Sequence, residues 1–221
     1  MISKTEGIVF NYIKYRDTSI IVRIFTKDYG FRSFVVNSVR SAKSKKKLGY
    51  FEPFNILEIV FYESQHSELH RLSDYKISVS HSSIRFNLKK STIVIFLSEV
   101  LYKILSFEST ANPELYTFLK SALDTFEKSD QHYENFHLQL LIQLTHHLGL
   151  GYDPDTMSLH GVTSVVNQLA ATLAFSDFGT GIEANGTLRS LFLEAILNFY
   201  REHTGQNLDI KSLAILRQIF H

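Results

Sequence analysis

Arg40-Ser41-Ala42-Lys43-Ser44-Lys45-Lys46-Lys47 sets five cations within eight residues. Bases separated by small residues match the repeating charge of a polyanion, so the chemistry on offer is phosphate binding rather than bond making. Lys14, Arg16, Arg23, Lys27 and Arg32 precede the run, with only Asp17 and Asp28 as acids between Lys14 and Lys47. Tyr12, Tyr15, Tyr29, Phe31, Tyr50 and Phe51 are interleaved with these bases, and any that are exposed can stack on nucleobases. If about five of the bases neutralise phosphates of one strand, log affinity falls with log salt at a slope near about −3.5. Such contacts hold a backbone and read little sequence.

No second constellation competes with this one. Gly179-Thr180-Gly181-Ile182-Glu183-Ala184 has the spacing of a dinucleotide turn, but Val165–Ala174 before it reads as helix where that turn needs a strand. Gly181 and Gly186 have P-loop spacing, yet Thr187-Leu188 stands where Lys-Ser or Lys-Thr is required. Among ten histidines, His66 and His70 are spaced like a zincin pair without the following Glu, and the adjacent His146 and His147 diverge on a helix. The absence of cysteine rules out disulfides, thiolate zinc, iron–sulfur clusters and a thiol nucleophile. With no nucleophile elbow or kinase signature, the reading is of a non-enzyme with no catalytic residues, no cofactor and no metal.

The elements that must carry the bases follow from pattern and charge. The net charge of +1 conceals a split: residues 1–90 hold 16 Lys and Arg against 8 Asp and Glu, and residues 91–221 hold 7 against 14. A polyanion-facing part is thus joined to an acidic one. Gly7–Tyr15, Ser19–Thr26, Phe31–Val39, Phe54–Tyr62 and Leu69–Val79 are rich in β-branched and aromatic residues and separated by turn signals. Pro53 belongs at the start of the fourth strand, the fifth alternates like an edge, and the basic run is expected as a mobile loop between strands. Five short strands without an intervening helix predict a small closed or nearly closed barrel.

From about residue 82 the period becomes helical. Ile93–Leu105 is apolar almost all round. Asn112-Pro113-Glu114 carries a cap, a residue preset for the first turn and an acid suited to the dipole. Leu115, Phe118, Leu119, Ala122, Leu123 and Phe126 form one stripe. Phe136 to Leu148 forms a second, stopped by Gly149 and Gly151, and Leu188 to Phe199 a third; Ile210–Phe220 closes the chain. The fold class is therefore α+β, with a barrel over 1–80 and an all-α domain over 81–221. The first residues lack an apolar leader, and the longest apolar run, Ile93–Leu97, is far short of the about 20 residues a membrane helix needs. A cytoplasmic protein without membrane contact is expected.

Thr5-Glu6-Gly7-Ile8-Val9, Ile24-Phe25-Thr26-Lys27-Asp28-Tyr29-Gly30, Val39-Arg40-Ser41-Ala42-Lys43-Ser44, Phe51-Glu52-Pro53-Phe54-Asn55 and Leu69-His70-Arg71-Leu72 resemble, in order and spacing, the N-terminal part of the RecO family of recombination mediators. Asn112-Pro113-Glu114-Leu115-Tyr116 and Ile210-Lys211-Ser212-Leu213 are similar to its helical part. The resemblance implies a five-stranded OB-fold followed by an all-helical domain, in a nucleoid-associated DNA repair protein. Such a protein binds single- and double-stranded DNA, anneals complementary strands, and acts with RecR to load RecA on strands coated by single-strand-binding protein. It carries the basic face onto Arg40, Lys43, Lys45, Lys46 and Lys47, with Lys14, Arg16, Arg23 and Arg32 behind them. It also implies docking of the acidic C-terminal tail of single-strand-binding protein on the helical domain, where Arg189, Arg201, Lys211 and Arg217 are the available bases. Two departures stand out. Gly151-Tyr152-Asp153-Pro154 is followed by Met157-Ser158-Leu159-His160-Gly161 rather than by a four-cysteine zinc module, which makes this a zinc-free member, and Asn37-Ser38 replaces the family's Gly before the basic turn. The competing readings are an OB-fold RNA binder and a protein-interaction adaptor whose helical domain is the working surface.

Overall fold

The computed structural model of the chain describes residues 2–40, 42–63, 69–152 and 163–220, with 42–46 described by backbone. His66, and the segment 153–162 with the departure from the zinc module, lie outside the described residues. Five strands, β1 (Ile2–Tyr15), β2 (Ser19–Thr26), β3 (Gly30–Val36), β4 (Ile56–Tyr62) and β5 (Leu69–Val79), form a closed barrel in the order β1-β2-β3-β5-β4. It is the OB-fold, and among the described residues seven helices follow it. Closure rests on a parallel ladder between β3 and β5 that spans only Ser33–Val35 against Leu69–Arg71. β5 is accordingly no edge: it is paired on both sides, and a closed barrel has no unpaired backbone to protect.

Strand alternation fills the lumen. Ile20, Val22 and Ile24 of β2 and Phe34 and Val36 of β3 point inward with Leu57, Ile59, Phe61 and Leu72, as the period of two requires. β3 ends at Val36, short of the expected Val39, but Val39 is still in the core. Ser38 takes φ +59, so a left-handed turn is made here by a serine. Asn37 beside it accepts a hydrogen bond from the Ser19 hydroxyl at 3.1 Å.

The basic run is a 3-10 helix, Ala42–Phe51, and not a loose loop. Its second half is why. In a 3-10 helix residues three apart share a column, which aligns Leu48 with Phe51; Phe51 is fully buried, and Leu48 and Tyr50 pack against the same core. The Asn55 side chain donates to the carbonyls of Gly49 and Tyr50, at 2.8 and 3.1 Å, and pins the helix end. β4 begins at Ile56, so Pro53 lies in the turn before the strand rather than at its start. Phe54 there has φ +65, held by burial of its ring and by its amide, which donates to the Val9 carbonyl at 2.7 Å.

The helices are α1 (Ser82–Phe86), α2 (Leu88–Leu105), α3 (Pro113–Lys128), α4 (Phe136–His147), α5 (Ser164–Phe175), α6 (Gly186–Thr204) and α7 (Leu213–Phe220). Asn112 Oδ1 accepts from the Leu115 amide at 3.0 Å, the capping bond its position predicts. Asn185 caps α6 in the same way, and Gly205 ends that helix at φ +66. The glycine-rich stretch 179–184 connects α5 to α6 with no preceding strand, so it is a helix-to-helix loop. None of these helices is long and apolar enough to cross a membrane, among the described residues.

Packing divides the chain into two units, one of Met1–His81 with Ser98–Lys120, the other of Ser82–Leu97 with Ser121–His221. In the first unit the α2–α3 connection lies against the β2–β3 turn: the Phe31 amide donates to the Glu108 carbonyl at 2.7 Å. Gly30 permits this approach. It has φ +67, and a Cβ there would stand 2.2 Å from the Thr110 carbonyl oxygen. In the second unit Lys90 is almost fully buried and donates to Ser83 Oγ at 2.7 Å and to the Glu127 carbonyl at 3.0 Å.

Candidate nucleic-acid interface

The β1–β2 turn, Arg16-Asp17-Thr18, and the exit from β3 meet at one end of the barrel. Ladder register puts them there, since Tyr15 pairs with Ser19 and Ile20 with Val36. Arg40 joins the two. Its amide donates to the Thr18 carbonyl at 2.9 Å, and its guanidinium Nη1 donates to the Arg16 carbonyl at 3.1 Å. Arg16 itself adopts φ +50, a conformation that costs an L-residue roughly 1–2 kcal/mol. Its guanidinium lies over the Tyr15 ring, 5.1 Å from the centroid. Lys14, Arg16 and Lys47 are exposed, Arg40 is half-buried, and the 3-10 helix that carries Lys43, Lys45, Lys46 and Lys47 leaves this same end. The side chains of Lys43, Lys45 and Lys46 lie outside the described ones.

The remaining two bases are elsewhere. Arg23 projects from the outer side of β2, between Asn11 and Ser33 in the ladders. Its Nη1 donates to Asn11 Oδ1 at 3.1 Å, and its guanidinium stacks 4.4 Å from the Tyr102 centroid. Arg32 pairs with Ile24 near the opposite end, and its Nη1 donates to the Phe31 carbonyl at 2.9 Å. It faces His70, whose ring packs on Phe34 and Phe61. Burial, with the Arg32 charge added, holds the His70 imidazole below its ordinary pKa.

The interleaved aromatics prove to be mostly structural. Phe31 and Phe51 are buried, while Tyr12, Tyr29 and Tyr50 pack against the barrel core. Tyr29 meets Phe61 edge-on at 5.3 Å and Tyr50 meets Tyr75 at 5.4 Å. The outward row beside the cationic end is aliphatic instead: Ile13, Ile21 and Val35 are ladder partners across β1, β2 and β3. Exposed Arg71 continues that row through the parallel β3–β5 ladder. Neither the row nor Arg71 was visible in the sequence, because residues 35 and 71 become neighbours only on closure.

The four bases named for tail docking run along the α6–α7 pair. Arg189 Nε donates to Asn135 Oδ1 at 2.9 Å and its Nη1 to the Phe220 carbonyl at 3.4 Å. Arg217 forms an ion pair with Glu194 at 3.0 Å. Arg201 bonds to Asn198 Oδ1 and to the Leu208 carbonyl. Lys211 is exposed in the turn before α7.

Comparison with known proteins agrees over the whole length. The family model described as recombination protein O N terminal matches residues 1–81, and that described as recombination protein O C terminal matches 85–169. The chain is 33% identical to the DNA repair protein RecO of Flavobacterium psychrophilum over 239 residues, covering 98% of each. It is 32% identical to that of Flavobacterium johnsoniae over 235 residues, again 98% of each. With the DNA repair protein RecO of Bacteroides fragilis the identity is 30% over 248 residues and the full length of both.

Proposed function

The chain belongs to the recombination protein O family of DNA repair proteins, and on that premise we propose that it is a non-catalytic mediator that binds DNA at the cationic end of its barrel. The observation that carries the site is the pair of bonds from Arg40 to the β1–β2 turn, which fixes Arg16 and Arg40 beside the lysine-bearing helix. A cluster held in this way presents its charges to successive phosphates of single- or double-stranded DNA. Lys14, Arg16, Arg40 and Lys43, Lys45, Lys46 and Lys47 are the proposed contacts. Residues 1–80 form the DNA-binding part and 81–221 the partner-binding part. The partners are RecR, which would act with this protein in loading RecA, and the tail of single-strand-binding protein, at the α6–α7 bases. The place of work is the cytoplasm, on the nucleoid.

A strand-annealing assay with naked and with single-strand-binding-protein-coated oligonucleotides tests the reading. Annealing of both by the wild type is expected. Failure to anneal either, or competition by RNA as strong as by DNA of equal length, overturns it.

A further inference from the structure

The proposed DNA contact has a chemical polarity. A protein that holds a single strand by its bases does so with aromatic faces, and each stacked base is worth about 5- to 150-fold in affinity. This barrel turns its aromatics the other way. Tyr12, Tyr29, Phe31, Phe34, Tyr50, Phe51 and Tyr75 fill or line the core. Tyr15, the aromatic at the turn, has the Arg16 guanidinium over its ring. The outer face next to the cations consists of Ile13, Ile21 and Val35, branched chains without a flat surface. Tyr62 and Phe107 are exposed, at 46% and 72%; Phe107 is away from that end, whereas Tyr62 pairs with Arg71 and stands next in the outward row, so its substitution is part of the test. Tyr62 lies on β4, two ladder steps beyond Val35, and Phe107 lies in the connection that packs on the β2–β3 turn.

Resting on the reading of this end as a DNA site, we infer that the barrel grips a strand by its phosphates alone and leaves the faces and pairing edges of the bases uncovered. The bound species is a polyphosphate backbone of any sequence. A strand presented in this way can still find its complement, which stacking on the protein would obstruct.

The test uses the full chain and two oligonucleotides of about 16 positions, one of thymidine and one of the same length with abasic tetrahydrofuran units. Both carry the same phosphate charge. Fluorescence anisotropy across a salt series should give affinities within about fivefold, the value of one stacked base, and equal salt slopes. An abasic strand more than about fivefold weaker overturns the inference while leaving DNA binding intact. If neither strand binds, the DNA-site reading fails and the inference falls with it. Two further readouts bear on it directly. Bound thymines should remain as reactive to permanganate as free ones, and protection overturns the inference. Tyr62→Ala and Phe107→Ala should each change affinity for the thymidine strand by less than about twofold, and a loss the size of a stacked base in either overturns it.

Discussion

The Arg23 guanidinium lies 4.4 Å from the centre of the Tyr102 ring and donates to Asn11 Oδ1. It ties β1 and β2 to α2 within the first unit. A base that the sequence groups with the phosphate-binding residues is thereby held by two contacts within the fold.

Arg23→Ala is therefore expected to lower stability by about 2–4 kcal/mol, the sum of a cation–π contact and a charged hydrogen bond. Affinity for single-stranded DNA should change less than about twofold, within the scatter of a surface substitution. Chemical denaturation followed by circular dichroism, beside anisotropy on the same preparation, checks both. A loss of affinity with an unchanged midpoint would return Arg23 to the interface.

Replacing Lys43, Lys45, Lys46 and Lys47 together by Ala removes four of the five cations in the run. The salt slope should flatten by about 2.8, at about 0.7 for each contact removed. Slopes measured over the same salt series for both proteins decide it, and equal slopes would place the contact elsewhere.

Gly30→Ala must seat a Cβ 2.2 Å from the Thr110 carbonyl oxygen at φ +67. The strained dihedral alone costs roughly 1–3 kcal/mol and the displaced connection adds to it. Gly49→Ala is the control, since a Cβ there meets nothing within 4 Å. Urea midpoints should fall sharply for Gly30→Ala and hardly move for Gly49→Ala.

Glu6 Oε2 accepts from Lys120 at 2.8 Å and Oε1 from Ser78 Oγ at 2.5 Å. Partial burial opposes ionisation, but these donors outweigh it and hold the carboxyl below its ordinary pKa. A carboxylate depressed in the folded state adds stability above its unfolded pKa and loses it as pH falls through the lower, folded value. Stability of the wild type should thus decline in the acid range below about pH 4.3, and Glu6→Gln should be less stable at neutral pH with a flatter acid limb. Urea titrations at a series of pH values test this, and parallel curves would sink it.

The structure of the basic run shows where reading a sequence by pattern runs out. Its charges and its position between strands were legible, because both are local. That it forms a 3-10 helix was not, because the signal sits at Leu48, Tyr50 and Phe51, whose apolar faces find a partner only once the barrel end exists. The aromatics fail for the same reason. Alternation says that one face of a strand is buried, but not that Tyr12 joins the buried side while Ile13 and Ile21 face outward. By contrast Asn112 was already a cap in the sequence, its bond reaching only three residues.

By itself the sequence determined the order of a barrel followed by helices, the strand and helix periods, the Asn112 cap and the charge split, since each depends on residues a few positions apart and on composition. Tertiary structure alone decided the closure of β3 on β5, the seat of Gly30 against the α2–α3 connection, the capture of Arg23 by Tyr102 and the meeting of Arg16 with Arg40. Those contacts join residues 24 to 80 positions apart, and they exist only after burial of the barrel core has offset the entropy of closing the intervening chain.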